Sequence, residues 1–311
     1  MEHRLELKMA KLHLIQILFL LKSSDSFITQ LSRECKSSSL DLESTVVSND
    51  PGGKEQKTIL VLGGTGFVGS RFISLAVDSD YKIVSVSRRG RVDEKSPNYT
   101  KNVLWIRGDA TDNQFLSDVF KNYGPFTACV HAIGLLLDAD SGLSGLNRYA
   151  SGSGSNPGEK ATYDQITRAT AVAAIENFEK SSSCVSKVCP FVFISAAEAG
   201  WTFKAFPEFL ERYLVAKRAV ENRLLNSSKS VRPVIFRPSL IWTWKRPQAL
   251  LSVIPFAIGS KFLSFIDRPV LVDDLAQAML AAIEYDDVYG VQRYFNIDKL
   301  ALNRQRINKM S

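Results

Sequence analysis

The chain has 311 residues, 45% of them hydrophobic and 23% charged, which supports a sizeable core and excludes an intrinsically disordered protein. Its net charge of +7 suits an anionic cofactor, an anionic membrane surface or nucleic acid. The basic residues are scattered apart from Arg88-Arg89-Gly90-Arg91 and a C-terminus with Arg304, Arg306 and Lys309, and no nucleic-acid motif accompanies them, so most of the charge reads as solvated surface.

Residues 1 to about 55 read as a leader outside the fold. Arg4, Lys8 and Lys11 precede a short apolar run, Leu12 to Leu21, and a Ser-rich stretch follows. The run is shorter than the ~20 residues a membrane span needs. A secretory signal, an organelle transit peptide and an uncleaved helix lying on a membrane all stay open. Glu2, Glu6, Asp25 and Glu34 count against a clean transit peptide, and a cofactor-using, reducing body counts against secretion.

From Lys57 onward strands and helices alternate. Thr58–Leu62 is an apolar strand that runs into Gly63-Gly64-Thr65-Gly66-Phe67-Val68-Gly69, and a helical pattern follows to Val77. Three glycines at G-x-x-G-x-x-G spacing between a strand and a helix make a dinucleotide cradle. Gly63 lets the chain turn off the strand. Gly66 removes a Cβ where a pyrophosphate approaches, and Gly69 lets helix and strand pack closely. The N-terminus of the helix faces the phosphates. Gly63, Thr65, Gly66, Phe67, Val68 and Gly69 are therefore the first cofactor-binding candidates.

The second strand, Tyr81–Ser87, ends in Ser87-Arg88-Arg89 with no acid. A carboxylate there would bind ribose hydroxyls and repel a 2′-phosphate, whereas Arg88 with Ser87 favours NADP(H) over NAD(H), with NAD still open. A third strand spans Val103–Arg107, a helix Gln114–Asn122 and a fourth strand Thr127–Ala132, in which Cys129 reads as core. The four cysteines (Cys35, Cys129, Cys184, Cys189) have no metal-ligand spacing, so neither a metal site nor a disulfide framework is expected. Residues 138–160 break the rhythm with Ser151-Gly152-Ser153-Gly154-Ser155-Asn156-Pro157-Gly158, a flexible insertion that reads equally as a docking loop or lid and as a plain surface loop.

An Ala-rich helix spans Thr162–Lys180, a fifth strand Phe191–Ala196, a helix Glu208–Leu225 and a sixth strand Val231–Phe236. Near-continuous apolar strands between helices predict an α/β fold, a doubly wound parallel sheet of the Rossmann kind over residues 56–311, with a small C-terminal substrate or partner region. Tyr213 and Lys217 lie at i and i+4, on one helix face. An ammonium there would favour the phenolate and bring the tyrosine pKa down toward the working pH. Ser195, at the fifth strand's end, could hydrogen-bond the same substrate oxygen. His131 reads as a packed strand-end residue.

Together these residues resemble the short-chain dehydrogenase/reductase superfamily in its extended or atypical branch, over about residues 57 to 300. The resemblance implies that Ser195, Tyr213 and Lys217 form a catalytic group, Lys217 also touching the cofactor. It implies that Asp109 and Ala110, in Gly108-Asp109-Ala110, flank the adenine and that Ala132 joins the cofactor wall. Phe236-Arg237-Pro238-Ser239 is similar to the family's Arg-Pro turn, and Arg268 to Ala276 to the segment leading into a C-terminal helix. Val84 to Gly90, Val130 to Leu137, the Gly/Ser/Asn-Pro insertion and Ile194-Ser195-Ala196 resemble an atypical mitochondrial group tied to ubiquinone biosynthesis. That implies a mitochondrial protein, with a plastid or another organelle as the alternative. Its implied partners are a nicotinamide dinucleotide, a hydrophobic small molecule, a ubiquinone-biosynthetic complex and the periphery of the inner membrane. Two features depart from the family pattern. Ser195 and Tyr213 are 18 positions apart (213 minus 195), a long interval, and the fourth strand ends His131-Ala132-Ile133-Gly134 instead of Asn-Asn-Ala-Gly. Both an NADP-dependent oxidoreductase and a non-catalytic cofactor-binding subunit remain compatible with these residues.

Overall fold

The computed structural model describes residues 57–90, 102–135, 140, 161–181, 188–205, 208–244 and 267–310. The expected leader, most of the 138–160 insertion, Cys35 and Cys184 lie outside the described residues.

Among the described residues, nine strands form: β1 Thr58–Leu62, β2 Lys82–Ser87, β3 Val103–Arg107, β4 Ala128–His131, β5 Cys189–Ile194, β6 Val231–Arg237, β7 Ile241–Trp242, β8 Val270–Leu271 and β9 Gly290–Arg293. Seven of them make one sheet in the order β3-β2-β1-β4-β5-β6-β9, each neighbouring pair parallel. β7 and β8 pair separately. The helices are α1 Phe67–Asp78, α2 Asn113–Tyr123, α3 Thr170–Lys180, α4 Glu208–Leu225, α5 Val272–Glu284 and α6 Tyr294–Met310.

Alternation along β1 explains the three layers. Ile59 and Val61 pack with Phe72 and Ile73 of α1 and Leu275 and Met279 of α5. Leu60 and Leu62 point the other way, into a core with Leu116 of α2, Ile175 of α3 and Val220 of α4. Each such side chain, fully buried, contributes roughly 1.5–3 kcal/mol. The chain winds outward from β1 to β3, then returns to β4 on β1's other side. The crevice beyond the C-terminal ends of β1 and β4 is the switch point where doubly wound sheets bind ligands.

The predicted fold class is the observed one. Two element expectations need correction. β5 begins two residues earlier than Phe191, because Cys189 already pairs with Val231. The helix expected from Thr162 starts instead as a π-helical turn, Asp164–Ala169, before becoming α3. Among the described residues of the C-terminal part, β9 extends the main sheet, α5 shares its core, and β7 pairs with β8.

Candidate functional site

The glycine segment forms a tight turn between β1 and α1. Gly63 has φ +88°, which disfavours a side chain, and a Cβ on it would lie 3.0 Å from the backbone carbonyl of Ala132. Ala132 therefore backs the turn, with its N–H donating to the Leu62 carbonyl at 2.9 Å. A Cβ on Gly69 would come 2.3 Å from the Gly63 carbonyl oxygen, so this glycine is required by the protein's own packing. At Gly66 a Cβ would touch only the Gly63 oxygen, at 3.0 Å, and its outer side is open. Gly66 is the N-cap of α1 and no side chain caps that helix. A helix N-terminus without a side-chain cap suits a pyrophosphate.

The end of β2 is built as a turn. Ser87 is buried, and its hydroxyl donates to the Gly90 carbonyl at 3.1 Å, with Gly90 at φ +74°. Ser87 thus holds the turn. From it Arg89 reaches back to the cradle and donates to the Thr65 carbonyl at 2.7 Å. The sequence reading centred on Arg88, which is also exposed, but Arg89 makes the link to the glycine loop. After β3, the Asp109 carboxylate accepts from the Thr111 N–H at 3.0 Å and shapes its own loop, beside buried Ala110.

Beyond β4 and β5 lies the second half of the site. Tyr213 and Lys217 share one face of α4, and the Lys217 Nζ is 5.6 Å from the Tyr213 ring centroid and 4.8 Å from that of Phe193. The ammonium donates to the Ile194 carbonyl at 2.6 Å. Burial lowers the Lys217 pKa to about 7, against the pull of Glu221. Tyr213 contradicts the sequence expectation: its pKa rises instead of falling. Burial is the main cause, followed by the negative fields of Glu198 and Tyr163. The Tyr163 ring meets it edge-on at 5.5 Å.

Ser195 sits just past β5, still bound to β6 through its N–H to the Phe236 carbonyl at 2.7 Å. Its hydroxyl does not join Tyr213. It donates to Glu221 Oε1 at 2.5 Å, and Glu221 is held by Arg237, with Nε at 2.9 Å and Nη2 at 2.5 Å. The structure therefore brings Tyr213 and Lys217 together but engages Ser195 in a buried ion-pair network. His131 is fully buried, bonded through Nε2 to the Thr170 hydroxyl at 2.9 Å, and burial holds its pKa down to about 3, so it is the packed residue expected.

Sequence reasoning missed three residues here. Glu221 lies four positions after Lys217, a legible helical spacing. Arg237 belongs to the Arg-Pro turn already singled out. Glu198, on the 3₁₀ turn Ala197–Gly200, carried no motif; burial, with Asp267 nearby, pushes its carboxyl up to about 7. Cys129 and Cys189 are buried, and among the described residues no group of three or more His, Cys, Asp and Glu could hold a metal ion.

Residues 59–144 match the model of the "NAD dependent epimerase/dehydratase family". The chain is 26% identical over 273 residues to "MIOREX complex component 2" of Saccharomyces cerevisiae, covering 75% of this chain and 95% of that protein. It is also 26% identical over 268 residues to the "Uncharacterized protein At1g32220, chloroplastic" of Arabidopsis thaliana, covering 79% and 77%. Among solved structures, the Bordetella bronchiseptica enzyme WbmH in complex with NAD+ shares the fold with a TM-score of 0.53 at 17% identity, covering 77% of this chain and 76% of that one. Residues 59–144 are thus similar to the epimerase/dehydratase family, and the described residues share the fold of a UDP-glucose 4-epimerase (TM-score 0.52) and of a short-chain dehydrogenase from Streptomyces avermitilis (TM-score 0.55).

Proposed function

We propose that the protein is a nicotinamide-dinucleotide-dependent oxidoreductase of an organelle, the mitochondrion first, that acts on a hydrophobic carbonyl or quinone intermediate of ubiquinone biosynthesis. The observation that carries the activity is the pairing of Tyr213 and Lys217 on α4, beyond the strand end where the glycine cradle opens. The bound nicotinamide would exchange a hydride with the substrate. The chain's own residues handle the proton. A phenol whose pKa is raised stays protonated at neutral pH, so Tyr213 is suited to donate a hydrogen bond and then a proton to a carbonyl oxygen, the direction of reduction. Lys217 can return that proton because its own pKa stands near neutrality. The acid-free β2 end and Arg89 on the glycine loop support NADP(H). The leader and the chloroplastic name of the Arabidopsis relative support an organelle, and a reporter bearing residues 1–55 that entered the secretory pathway would remove that part of the reading.

A second reading rests on Ser195. Its hydroxyl is committed to Glu221, so no serine assists Tyr213, as a non-catalytic cofactor-binding subunit of a biosynthetic assembly would have it. The yeast relative's name as a complex component supports the same reading. Complementation separates them. Tyr213→Phe keeps the ring and removes the proton donor. If Tyr213 is the acid, turnover drops ~10²–10⁴-fold and quinone levels are not restored in cells lacking the protein. Full rescue by Tyr213→Phe, with failure of Gly66→Val, would establish the subunit reading instead.

A further inference from the structure

The 3₁₀ turn Ala197–Gly200 leaves β5 just past Ser195 and forms a wall beside Tyr213. It is firmly held. The Ala197 N–H donates to the Pro238 carbonyl at 2.9 Å, and Arg218 of α4 donates to the carbonyls of Ala199 and Trp201, each at 3.1 Å. Ala196, Ala199 and Trp201 pack in one cluster with Leu214 and Tyr213, and the Trp201 ring stacks on Phe203 at 4.9 Å. This apolar, partly aromatic wall carries one carboxyl in its middle, that of Glu198. The side chain is half-buried, and its negative field is felt at the Tyr213 hydroxyl. Among the described residues, each cation around the wall is engaged elsewhere. Arg237, whose Nη1 abuts Gly200, gives Nε and Nη2 to Glu221. Arg218 also holds Glu211, Lys217 the Ile194 carbonyl and Arg293 the Asp267 carboxylate. The Glu198 carboxyl accepts from its own N–H, and no other described residue donates to it.

We infer that Glu198 selects the substrate, accepting a hydrogen bond from a hydroxyl on the same ring system whose carbonyl oxygen meets Tyr213. The ligand class is a hydroxy-substituted aromatic carbonyl or quinone, and the inference rests on the substrate reading given above. A carboxyl drawn out of water without a donor is costly, and a ligand that brings the donor removes that cost. A cationic ligand is disfavoured, because Lys217, Arg218 and Arg237 already surround the wall. A neutral hydroxyl meets no such repulsion, and the flat ring that bears it suits the Trp201 and Tyr213 surfaces. Desolvation, with the like charge of Asp267 nearby, places the carboxyl at about 7, so it is about half ionised at neutral pH. A donated hydroxyl favours the ionised form, and binding therefore releases a proton.

Isothermal titration calorimetry of the full chain saturated with NADP⁺ tests this. With the oxidised nucleotide bound no hydride is available, so binding is read without turnover. The probes are 3-hydroxybenzaldehyde and 6-hydroxy-2-naphthaldehyde, two spans of a planar frame, and their methyl ethers, which keep ring and carbonyl and lose only the donor. The better hydroxyl probe should bind about tenfold or more tightly than its ether. It should also release about half a proton at pH 7, read from buffers of different ionisation enthalpy. Glu198→Gln removes the charge and keeps the shape. It should cut the preference to about threefold or less and abolish the proton release, with ether and nucleotide affinities unchanged. It should melt no lower than wild type, because the lost charge had no partner. A lower melting temperature would assign Glu198 to the fold instead. Hydroxyl and ether bound alike by the wild type, proton uptake, or a preference that survives Glu198→Gln would overturn the inference alone. If neither class of probe binds while NADP⁺ does, the substrate reading fails and takes this inference with it.

Discussion

Gly66 and Gly69 are three residues apart and answer to different constraints. The first faces the crevice and the second faces the protein. Gly66→Val should abolish nucleotide binding, because a branched side chain would fill the pyrophosphate position while touching little of the fold. Gly69→Ala should lower stability as well, since its Cβ would lie 2.3 Å from the Gly63 oxygen and the turn itself must move. Thermal melting with nucleotide titration distinguishes the two: the first variant melts like wild type without ligand, the second does not. His131 gives a pH signature. Its folded pKa is about 3 against 6.5 for an exposed histidine. Between those values the unfolded chain binds the extra proton, so this residue's contribution is present above about pH 6.5 and is lost as pH falls. The slope is at most ~1.4 kcal/mol per pH unit. Urea unfolding from neutral pH to about pH 5 should show that component in the wild type and not in His131→Gln.

At the scale of elements, the end of β2 is where the proposed preference for NADP(H) is tested. With no acid at Ser87-Arg88-Arg89, NADPH should bind more tightly than NADH, and Arg89→Ala should weaken NADPH binding alone. Fluorescence titration that finds equal affinities removes the phosphate-reading role. The β5–α4–β6 junction is held by Glu221. Glu221→Gln would leave Arg237 and Ser195 without their buried carboxylate, and urea unfolding should show a loss of about 3 kcal/mol. What was legible in the sequence follows from these same elements. β1, α1 and α4 were readable because apolar runs, glycine spacing and helical periodicity are local signals. β9 was not, since Gly-Val-Gln-Arg is short, half polar and enters the sheet only through its partner β6. The π-helical turn was hidden because its sequence has ordinary helical character and its departure from α geometry is not a local signal. Ser195 was placed correctly at a strand end. Its orientation depends on a carboxylate 26 residues later, and the pKa of Tyr213 on how deeply α4 is buried, so neither could be read from the Tyr-x-x-x-Lys spacing.

At the scale of the molecule, two halves share one switch point. The first, β1 to β4, brings the cradle; the second, from the π-helical turn onward, brings Tyr213, Lys217 and the ion-pair network. Yet the two are not built in sequence order. One face of the first half, with Ile59, Val61, Phe72 and Ile73, is covered by α5, and Arg71 of α1 pairs with Asp273 of α5 across 202 residues of chain. During synthesis the nucleotide-binding half therefore leaves the ribosome long before its cover exists. At ~5–20 residues per second, that interval is about 10–40 s of exposed apolar surface. A nascent chain stopped at residue 244 should be captured by chaperones or aggregate, even though it holds every glycine of the cradle and both Tyr213 and Lys217. If such a chain stays soluble and binds nucleotide, the α5 cover is dispensable. The order in which this protein is made thus sets a demand on the cell that its finished form conceals.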